Sequence, residues 1–120
     1  MVIEIGRRRR SQPAPPHVVF EDLSEPDRDP CRPWLELLDD EQRPRVLRSE
    51  APSTLVWSSL WSKRPDAMVT FDLPSSADGG TDLQWTLHVD EHPPDDALVG
   101  HMRKRLNQLI NANLRYTFGQ

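Results

Sequence analysis

The chain is almost without cysteine, because Cys31 is the single one among 120 residues. A lone cysteine excludes an internal disulfide and disfavours a cysteine-based metal site. The four histidines do not offer a metal site in place of cysteines. They fall in proline-flanked loops, on the polar face of a predicted strand and on a helix flank. We therefore expect no metal site and no other cofactor.

Long apolar runs are also missing. No stretch approaches the ~20 residues that a membrane-spanning helix requires, so we expect no membrane span. The first residues, MVIEIGRRRR, place apolar side chains before the charges. This order is the reverse of a secretory signal and favours a cytoplasmic protein. Four tryptophans and three phenylalanines argue against wholesale disorder. We expect a single domain, residues 1–120, with a core of its own.

An excess of positive charge is lacking, since the net charge is −4. Two basic blocks nevertheless occur, at residues 7–10 and 103–105. Domains that bind nucleic acid usually carry a net basic surface, because their affinity comes from neutralising phosphates. Here no aromatic residues interleave with the arginines either. We predict no nucleic-acid partner and interpret both blocks as solvated faces.

Catalytic motifs are absent as well. The sequence has no G-x-S-x-G, no P-loop and no G-x-G-x-x-G. Cys31 has no base near it in the sequence. The acidic residues Asp39, Asp40 and Glu41 are adjacent, which is typical of a solvated turn rather than of an acid/base pair. We therefore assign no catalytic residue.

What the sequence does contain is alternation between apolar and polar residues, which predicts strands. In the first strand, Ile3 and Ile5 share a face that Arg7 and Arg9 continue. Later strands are predicted in the stretches VLRSEAP, TLVWSSLW, MVTFDL and TDLQWTLHVD. In each of the last three stretches, the apolar residues share one face. These faces hold Leu55, Trp57, Ser59 and Trp61 in the first, Val69, Phe71 and Leu73 in the second, and Leu83, Trp85, Leu87 and Val89 in the third. Several half-apolar strands in succession indicate a curved antiparallel sheet with one covered face.

Two segments between the strands are predicted differently. Pro15 and Pro16 suit the start of a short helix that Pro26 ends. A proline-rich connection follows, and then an apolar cluster at residues 34–38. The cluster is either a helical turn or a short strand, and periodicity does not distinguish between them.

The covering element is predicted at the C-terminus. Asp95 and Asp96 begin a long amphipathic helix, with acidic residues where the helix dipole favours them. Its apolar side holds Leu98, Met102, Leu106, Leu109, Ile110, Asn113 and Tyr116, and its outer side Gly100, Lys104, Asn107, Asn111 and Arg115. Asn113 interrupts the apolar side, where an unpaired amide costs about 1–3 kcal/mol. It either bonds to the main chain, faces a ligand or belongs to a protein interface.

The order of these elements resembles the START-like superfamily, also called SRPBCC or the polyketide cyclase/dehydrase group. Four stretches carry the resemblance: the first helix leading to Trp34, the strand–proline–strand stretch RVLRSEAPSTLVWSSLW, the hairpin VTFDLPSSADGGTDLQWTLHVDE with Gly80 and Thr81 at its turn, and the long closing helix. The resemblance implies an α+β helix-grip fold, a curved antiparallel sheet of about six strands packed on a long C-terminal helix. The chain is shorter than typical members, which have seven strands.

The resemblance also implies a cavity between the sheet and the last helix. Members bind lipids, sterols, polyketides or plant hormones, some cyclise polyketides, and a related branch stimulates a chaperone ATPase. Our leading hypothesis is that this chain binds a small apolar or amphipathic molecule without catalysis. The alternatives are a cyclase or dehydratase that uses the same cavity, and a protein-interaction module, which a homodimer would suit. The predicted ligand-binding residues are Trp57, Ser59, Trp61, Trp85, Met102, Leu106, Leu109, Asn113 and Tyr116.

Overall fold

A computed structural model describes residues 2–28, 31, 33–90 and 92–118. The strands are β1 (Ile3–Gln12), β2 (Val46–Glu50), β3 (Thr54–Trp57), β4 (Met68–Asp72) and β5 (Thr81–Val89). The helices are α1 (Pro16–Ser24), α2 (Asp96–Leu106), a π-helical segment (Asn107–Leu114) and α3 (Arg115–Thr117). The last three run on without a break as one C-terminal helix of 22 residues. No helix in the described ranges has the length and apolar character to cross a membrane.

The strands form one sheet in the order β1-β5-β4-β3-β2, and all neighbours are antiparallel. α1 packs against β3 and the C-terminal helix against β1. The α+β helix-grip architecture is therefore confirmed. The described residues form five strands rather than about six, because the stretch 33–38 has no regular structure. The open edges of the sheet are β1 and β2.

Both helix starts occur where the sequence predicts them. α1 begins at Pro16 with Pro15 as its N-cap, since a proline in the first turn lacks only an N–H that would find no partner inside the helix. Asp95 caps α2 by accepting a hydrogen bond from the main-chain N–H of Leu98 at 2.8 Å. These local signals fix where the two covering elements start.

A bulge near the start of β1 changes which arginines face the helix. The pairing of β1 with β5 shifts its register between Glu4 and Gly6. The extra residue reverses the side-chain alternation beyond it. Arg7 and Arg9, expected to continue the face of Ile3, therefore lie on the opposite face, and Arg8 and Arg10 take their place. The predicted face of the first strand is wrong beyond the bulge.

The π-helical segment changes which residues of the C-terminal helix are buried. Its i→i+5 hydrogen bonds make a wider turn than the α-helix. The fully buried side chains of the C-terminal helix are Met102, Leu106, Leu109, Ile110 and Leu114. The 3.6-residue repeat instead predicted burial at 113 and 116 and an outward position 111. Asn111 is in fact 6% exposed and Tyr116 77% exposed, so the predicted orientation of both is wrong.

The two glycines of the β4–β5 connection close it tightly. Gly79 has φ 88°, a conformation that favours glycine. Gly80 is buried, and a Cβ placed there would lie 2.4 Å from the main-chain oxygen of Gln12. The close approach ties the hairpin to the end of β1.

We expect Gly80→Ala to lower the free energy of unfolding by about 2 kcal/mol, because the Gln12 backbone must move to admit the methyl group. Gly6→Ala is the matched control. A Cβ there would lie 2.8 Å from Cγ of Arg103, a flexible side chain that can shift. Urea denaturation followed by circular dichroism measures both variants. Equal stabilities of the two would contradict this reading of the close approach.

Candidate functional site

A row of aromatic rings lies across the inner face of the sheet, which we call the aromatic row: Trp34, Trp57, Phe71 and Trp85. Trp34 stacks on Trp57 with ring centroids 6.0 Å apart and an interplanar angle of 17°. Trp57 meets Phe71 edge to face at 4.8 Å. Phe71 and Trp85 are direct partners in the β4–β5 register, so their side chains share a face. The row thus extends from the irregular segment before β2 to the strand beside β1.

The indole N–H groups near this row differ in their partners. Trp57 Nε1 donates to the main-chain oxygen of Leu23 at 2.8 Å. Within the described parts of the chain, the Nε1 atoms of Trp34, Trp61 and Trp85 are buried and have no hydrogen-bond partner. Buried donors normally have a partner, and each unpaired one costs about 1–3 kcal/mol. This concentration of unpaired donors in one small core is the most unusual chemical feature of the inner face.

Ser59, predicted to offer a hydroxyl to a ligand, makes local bonds. Its Oγ accepts from the main-chain N–H of Trp61 at 2.9 Å and lies 2.7 Å from the main-chain oxygen of Arg64, to which it can donate. β3 ends at Trp57 rather than continuing to Trp61, and Ser59 fixes the turn that follows. The hydroxyl therefore stabilises the loop.

Asn113 is held by the protein itself. Its Nδ2 donates to the main-chain oxygen of Trp34 at 3.2 Å, and its Oδ1 accepts from Gln108 Nε2 at 2.9 Å. Of the three roles left open by the sequence, the structure favours the first, a bond to the main chain. Asn113 joins the C-terminal helix to the segment that carries Trp34, and so helps to position one end of the aromatic row.

Two surface cavities border this region. The Trp34 cavity, of about 440 Å³, lies between α1 and the end of the C-terminal helix, with Val18, Pro26, Trp34 and Phe118 as its apolar walls. Asp22 and Arg28, which form an ion pair at 2.8 Å, supply polar groups. The His101 cavity, of about 560 Å³, is lined by residues that include Leu38, His101, Arg105 and Asn113.

A buried ion pair lies beside the His101 cavity. Arg105 donates to both carboxylate oxygens of Glu41, at 2.7 and 2.9 Å, and the Glu41 side chain is 0% exposed. The hydrogen bond to Glu41 raises the pKa of Arg105 above its ordinary value. Asp40, Glu41 and His101 present ligand atoms within 4.8 Å of one another. Both Glu41 oxygens accept hydrogen bonds from the Arg105 guanidinium, whose positive charge disfavours a cation at this cluster.

The structure brings most of the predicted site residues into one core. Six of them are buried there: Trp57, Trp61, Trp85, Met102, Leu106 and Leu109. Ser59 lies in the adjoining loop, Asn113 at the rim, and Tyr116 on the outer surface. Trp34 and Gln12 are also buried in this region and are not among the site residues predicted from the sequence. Gln12 is 1% exposed, with an unpaired Oε1, and its Nε2 donates to the main-chain oxygen of Ile110 at 3.1 Å. The bulge that turns Gln12 inward leaves no clear sign in the sequence.

No protein-family model matches the sequence, and no curated protein sequence matches it significantly. Solved structures do match. CalU16 from Micromonospora echinospora has a TM-score of 0.62 at 19% identity, over 98% of this chain and 85% of that one. The Aha1 dimer from Colwellia psychrerythraea gives 0.62 at 15% identity, over 94% and 93%. Ara h 8.0201 gives 0.60 at 14% identity, over the whole of both chains.

These structures have helix-grip folds of the SRPBCC type. The resemblance predicted from the sequence is therefore confirmed at the level of the fold. The same fold serves unrelated activities, so the function has to be inferred from the site.

Proposed function

We propose that this chain binds a small amphipathic molecule beside the aromatic row. The apolar part of the ligand would pack against the rings, and an acceptor group would bond to the indole N–H groups. The observation that carries the proposal is the set of unpaired buried donors on Trp34, Trp61 and Trp85. An apolar core gains nothing from such donors, whereas a ligand carbonyl or hydroxyl inserted between helix and sheet would satisfy them.

The Trp34 cavity supports the proposal as the place of entry. Its volume of about 440 Å³ falls within the ~300–1,000 Å³ of typical small-molecule pockets. Its walls combine apolar surface with one ion pair, which suits an amphipathic molecule. Trp34 connects it to the interior, because its ring lines the cavity and also stacks on Trp57.

Native mass spectrometry of protein purified without denaturation tests the proposal. We expect an adduct on the 13.9 kDa chain that is lost in Trp34→Phe and in Trp85→Phe, since each change removes one unpaired donor and keeps an aromatic ring. Tyr116→Phe is the control, because its hydroxyl lies outside the core and its loss should leave the adduct in place. Circular dichroism confirms that each variant is folded. Wild-type protein without an adduct, or folded donor variants that keep it, would refute the proposal.

A cyclase or dehydratase is the second candidate, and one observation favours it. His101 Nε2 lies 3.3 Å from Asp40 Oδ2, and His101 lines the His101 cavity. A histidine oriented by a carboxylate can act as the acid/base group that the sequence left unassigned. The reaction would then take place in the His101 cavity rather than in the cavity predicted between sheet and helix. His101→Gln would abolish turnover of a polyketide substrate and leave the adduct at the aromatic row unchanged.

The interaction-module hypothesis and the homodimer are distinguished by the mass in solution. A species twice the mass of the chain would support them, and a monomer without partners would count against them. The cytoplasmic location and the single domain over residues 1–120 stay predictions.

A further inference from the structure

Two arginines of β1 stand beside the C-terminal helix. Arg8 and Arg10 lie opposite Trp85 and Leu83 in the β1–β5 register. Paired residues of antiparallel strands point to the same face, and Trp85 and Leu83 are buried in the core that the helix covers. Arg8 and Arg10 therefore border the inner face at the open edge of the sheet.

These side chains line a groove between β1 and the helix, which we call the arginine groove. It has a volume of about 240 Å³. Arg8 and Arg10 contribute from the strand and Lys104 from α2. The rest of its lining comes from the π-helical segment: Asn107, Gln108, Asn111 and Ala112. π-helical turns occur frequently at functional sites, and this one contributes three amide residues to a groove that three cations also line.

The positive charges of the groove are not neutralised. Among the described residues, neither Arg8, Arg10 nor Lys104 forms an ion pair, and no carboxylate lines the groove. On the opposite face of the same strand the situation differs. Arg7 pairs with Glu4, with Nε 3.0 Å from Oε2. In a chain with a net charge of −4, such a local concentration of unpaired cations attracts an anion selectively.

Asn111 adds a second and independent observation. It lines the groove but is 6% exposed, and its Nδ2 donates to Asn107 Oδ1 at 2.9 Å. Its Oδ1 is buried and accepts no hydrogen bond from the described residues. A buried acceptor on a residue that lines the same groove as three cations fits an anion that also carries an O–H, since the cations would take the anionic oxygens and the hydroxyl would donate to Oδ1.

We propose that the arginine groove binds a phosphate monoester group. Such a group has anionic oxygens for Arg8, Arg10 and Lys104, and it has a protonated oxygen or a neighbouring alcohol for Asn111. Arginine suits this ligand because its planar fork donates to two phosphate oxygens at once. The volume of about 240 Å³ accommodates a head group and little more.

The site is distinct from the one in the proposed function. None of its lining residues belongs to the aromatic row or to the Trp34 cavity. Phosphate binding without an adduct at the aromatic row would support the phosphate site alone. An adduct without phosphate binding would support the proposed function alone.

A simpler role for the arginines is to protect the edge of the sheet. Charged side chains that point inward from an edge strand discourage pairing with another chain. This role requires charge but no particular ligand. The experiment must therefore separate specific binding from general attraction by positive charge.

Titration with inorganic phosphate, followed by nuclear magnetic resonance, tests the proposal. The pH is about 6, where phosphate monoesters are about half protonated. We expect saturable shifts in the amide signals of Asn107, Asn111 and Arg8. Arg8→Gln/Arg10→Gln should weaken binding by about tenfold or more. Arg7→Gln/Arg9→Gln removes the same charge from the opposite face of β1 and should change affinity by less than about twofold.

Equal weakening of binding by the two double variants would overturn the proposal, because it indicates charge alone. The absence of saturable shifts in the groove would overturn it as well. Sulfate carries no hydroxyl at this pH, so sulfate binding as tight as that of phosphate would contradict both the choice of a phosphate monoester and the role of Asn111 Oδ1. Reduced binding by Asn111→Leu, with Gln84→Leu as a control opposite Arg9 on the other face of the sheet, would support that role.

Two probes distinguish whether the phosphate group belongs to a free small molecule or to a lipid. Glycerol 3-phosphate represents a free phosphate monoester, and vesicles of phosphatidylcholine with phosphatidic acid present the same group on a lipid. Binding of either probe that depends on Arg8 and Arg10 supports the proposal and identifies the source. Binding of neither probe overturns it.

Discussion

Replacing Trp57 with alanine is expected to lower the free energy of unfolding by about 4 kcal/mol, enough to unfold much of a marginally stable domain. Trp57 is 0% exposed and lies between Trp34 and Phe71, with ring centroids 6.0 and 4.8 Å away. The change removes both ring contacts and leaves a cavity in the middle of the core. It also removes the donor to Leu23, so the last turn of α1 loses its bond to β3.

A matched control comes from the neighbouring position of the same strand. Val56 is only partly buried and points to the other face of β3, so Val56→Ala should lower the stability by less than about 1 kcal/mol. Urea denaturation followed by circular dichroism measures both, since tryptophan fluorescence itself changes in the first variant. A loss below about 2 kcal/mol for Trp57→Ala would mean that the core collapses around the missing ring.

Comparing Trp57→Phe with Trp85→Phe shows how much a hydrogen-bonded indole N–H contributes to stability relative to an unpaired one. Both changes replace one ring by a smaller one at a buried strand position. Only the first breaks a hydrogen bond, because Trp57 Nε1 has a partner and Trp85 Nε1 has none. The paired tryptophan should therefore cost more to replace, by about 1 kcal/mol in the absence of a ligand.

The elements that the sequence predicted correctly depend on local rules. The proline start of α1 and the Asp95 cap of α2 each involve a few neighbouring residues. The burial of β4 alternates strictly, and that of β5 does so except at Thr86, which is buried although it lies on the predicted polar face. These features follow from backbone geometry and from the need to bury one face, which is why the sequence alone reveals them.

The errors came from single-residue changes of register. One extra residue in β1 exchanges Arg7 and Arg9 for Arg8 and Arg10 on the inner face. The wider turn in the C-terminal helix brings Asn111 and Leu114 to its buried side and leaves Tyr116 exposed. Tertiary packing decides both, since Gly6 lets Arg103 approach the strand and Leu114 replaces Asn113 in the core. No local pattern marks either shift.

The candidate site was predicted in part for the same reason. The aromatic residues on strands were found because strand alternation is simple. Trp34 was not, because it lies in a segment without regular structure and is positioned by a long-range bond from Asn113. Asn113 drew attention as an amide in an apolar stripe, and its actual role is to hold that segment. The buried polar groups without a partner, the indoles of Trp34, Trp61 and Trp85 and Oδ1 of Asn111, can be recognised only from the packed structure.

Removing Arg105 is the second change expected to have a large effect. Arg105→Met should lower the free energy of unfolding by about 3–5 kcal/mol, because it leaves the Glu41 carboxylate buried without its partner. The Glu41 side chain is 0% exposed and that of Arg105 13%. Arg105 also donates to the main-chain oxygen of Glu36 at 2.8 Å, so the loss frees the segment that follows Trp34 from the helix.

The ion pair between Arg43 and Asp27 is the matched control. Its N–O distance is also 2.7 Å, but both side chains are more than half exposed. Arg43→Met should therefore change stability by less than about 1 kcal/mol. Denaturation of the two variants under identical salt conditions isolates the effect of burial, since the distance and the types of ion are similar.

The double variant Arg105→Met/Glu41→Met decides what the buried pair does. A well-packed apolar replacement of both partners often restores stability, because no charge then remains to be desolvated. We expect the double variant to recover more than half of the loss. If it recovers nothing, the stabilisation comes from the bonds that the two side chains make to the main chain. Arg105 donates to the main-chain oxygen of Glu36 at 2.8 Å, and Glu41 accepts from the main-chain N–H of Leu38 at 2.9 Å. The pair would then act as an anchor for the segment that carries Trp34, and its loss should also abolish any adduct at the aromatic row.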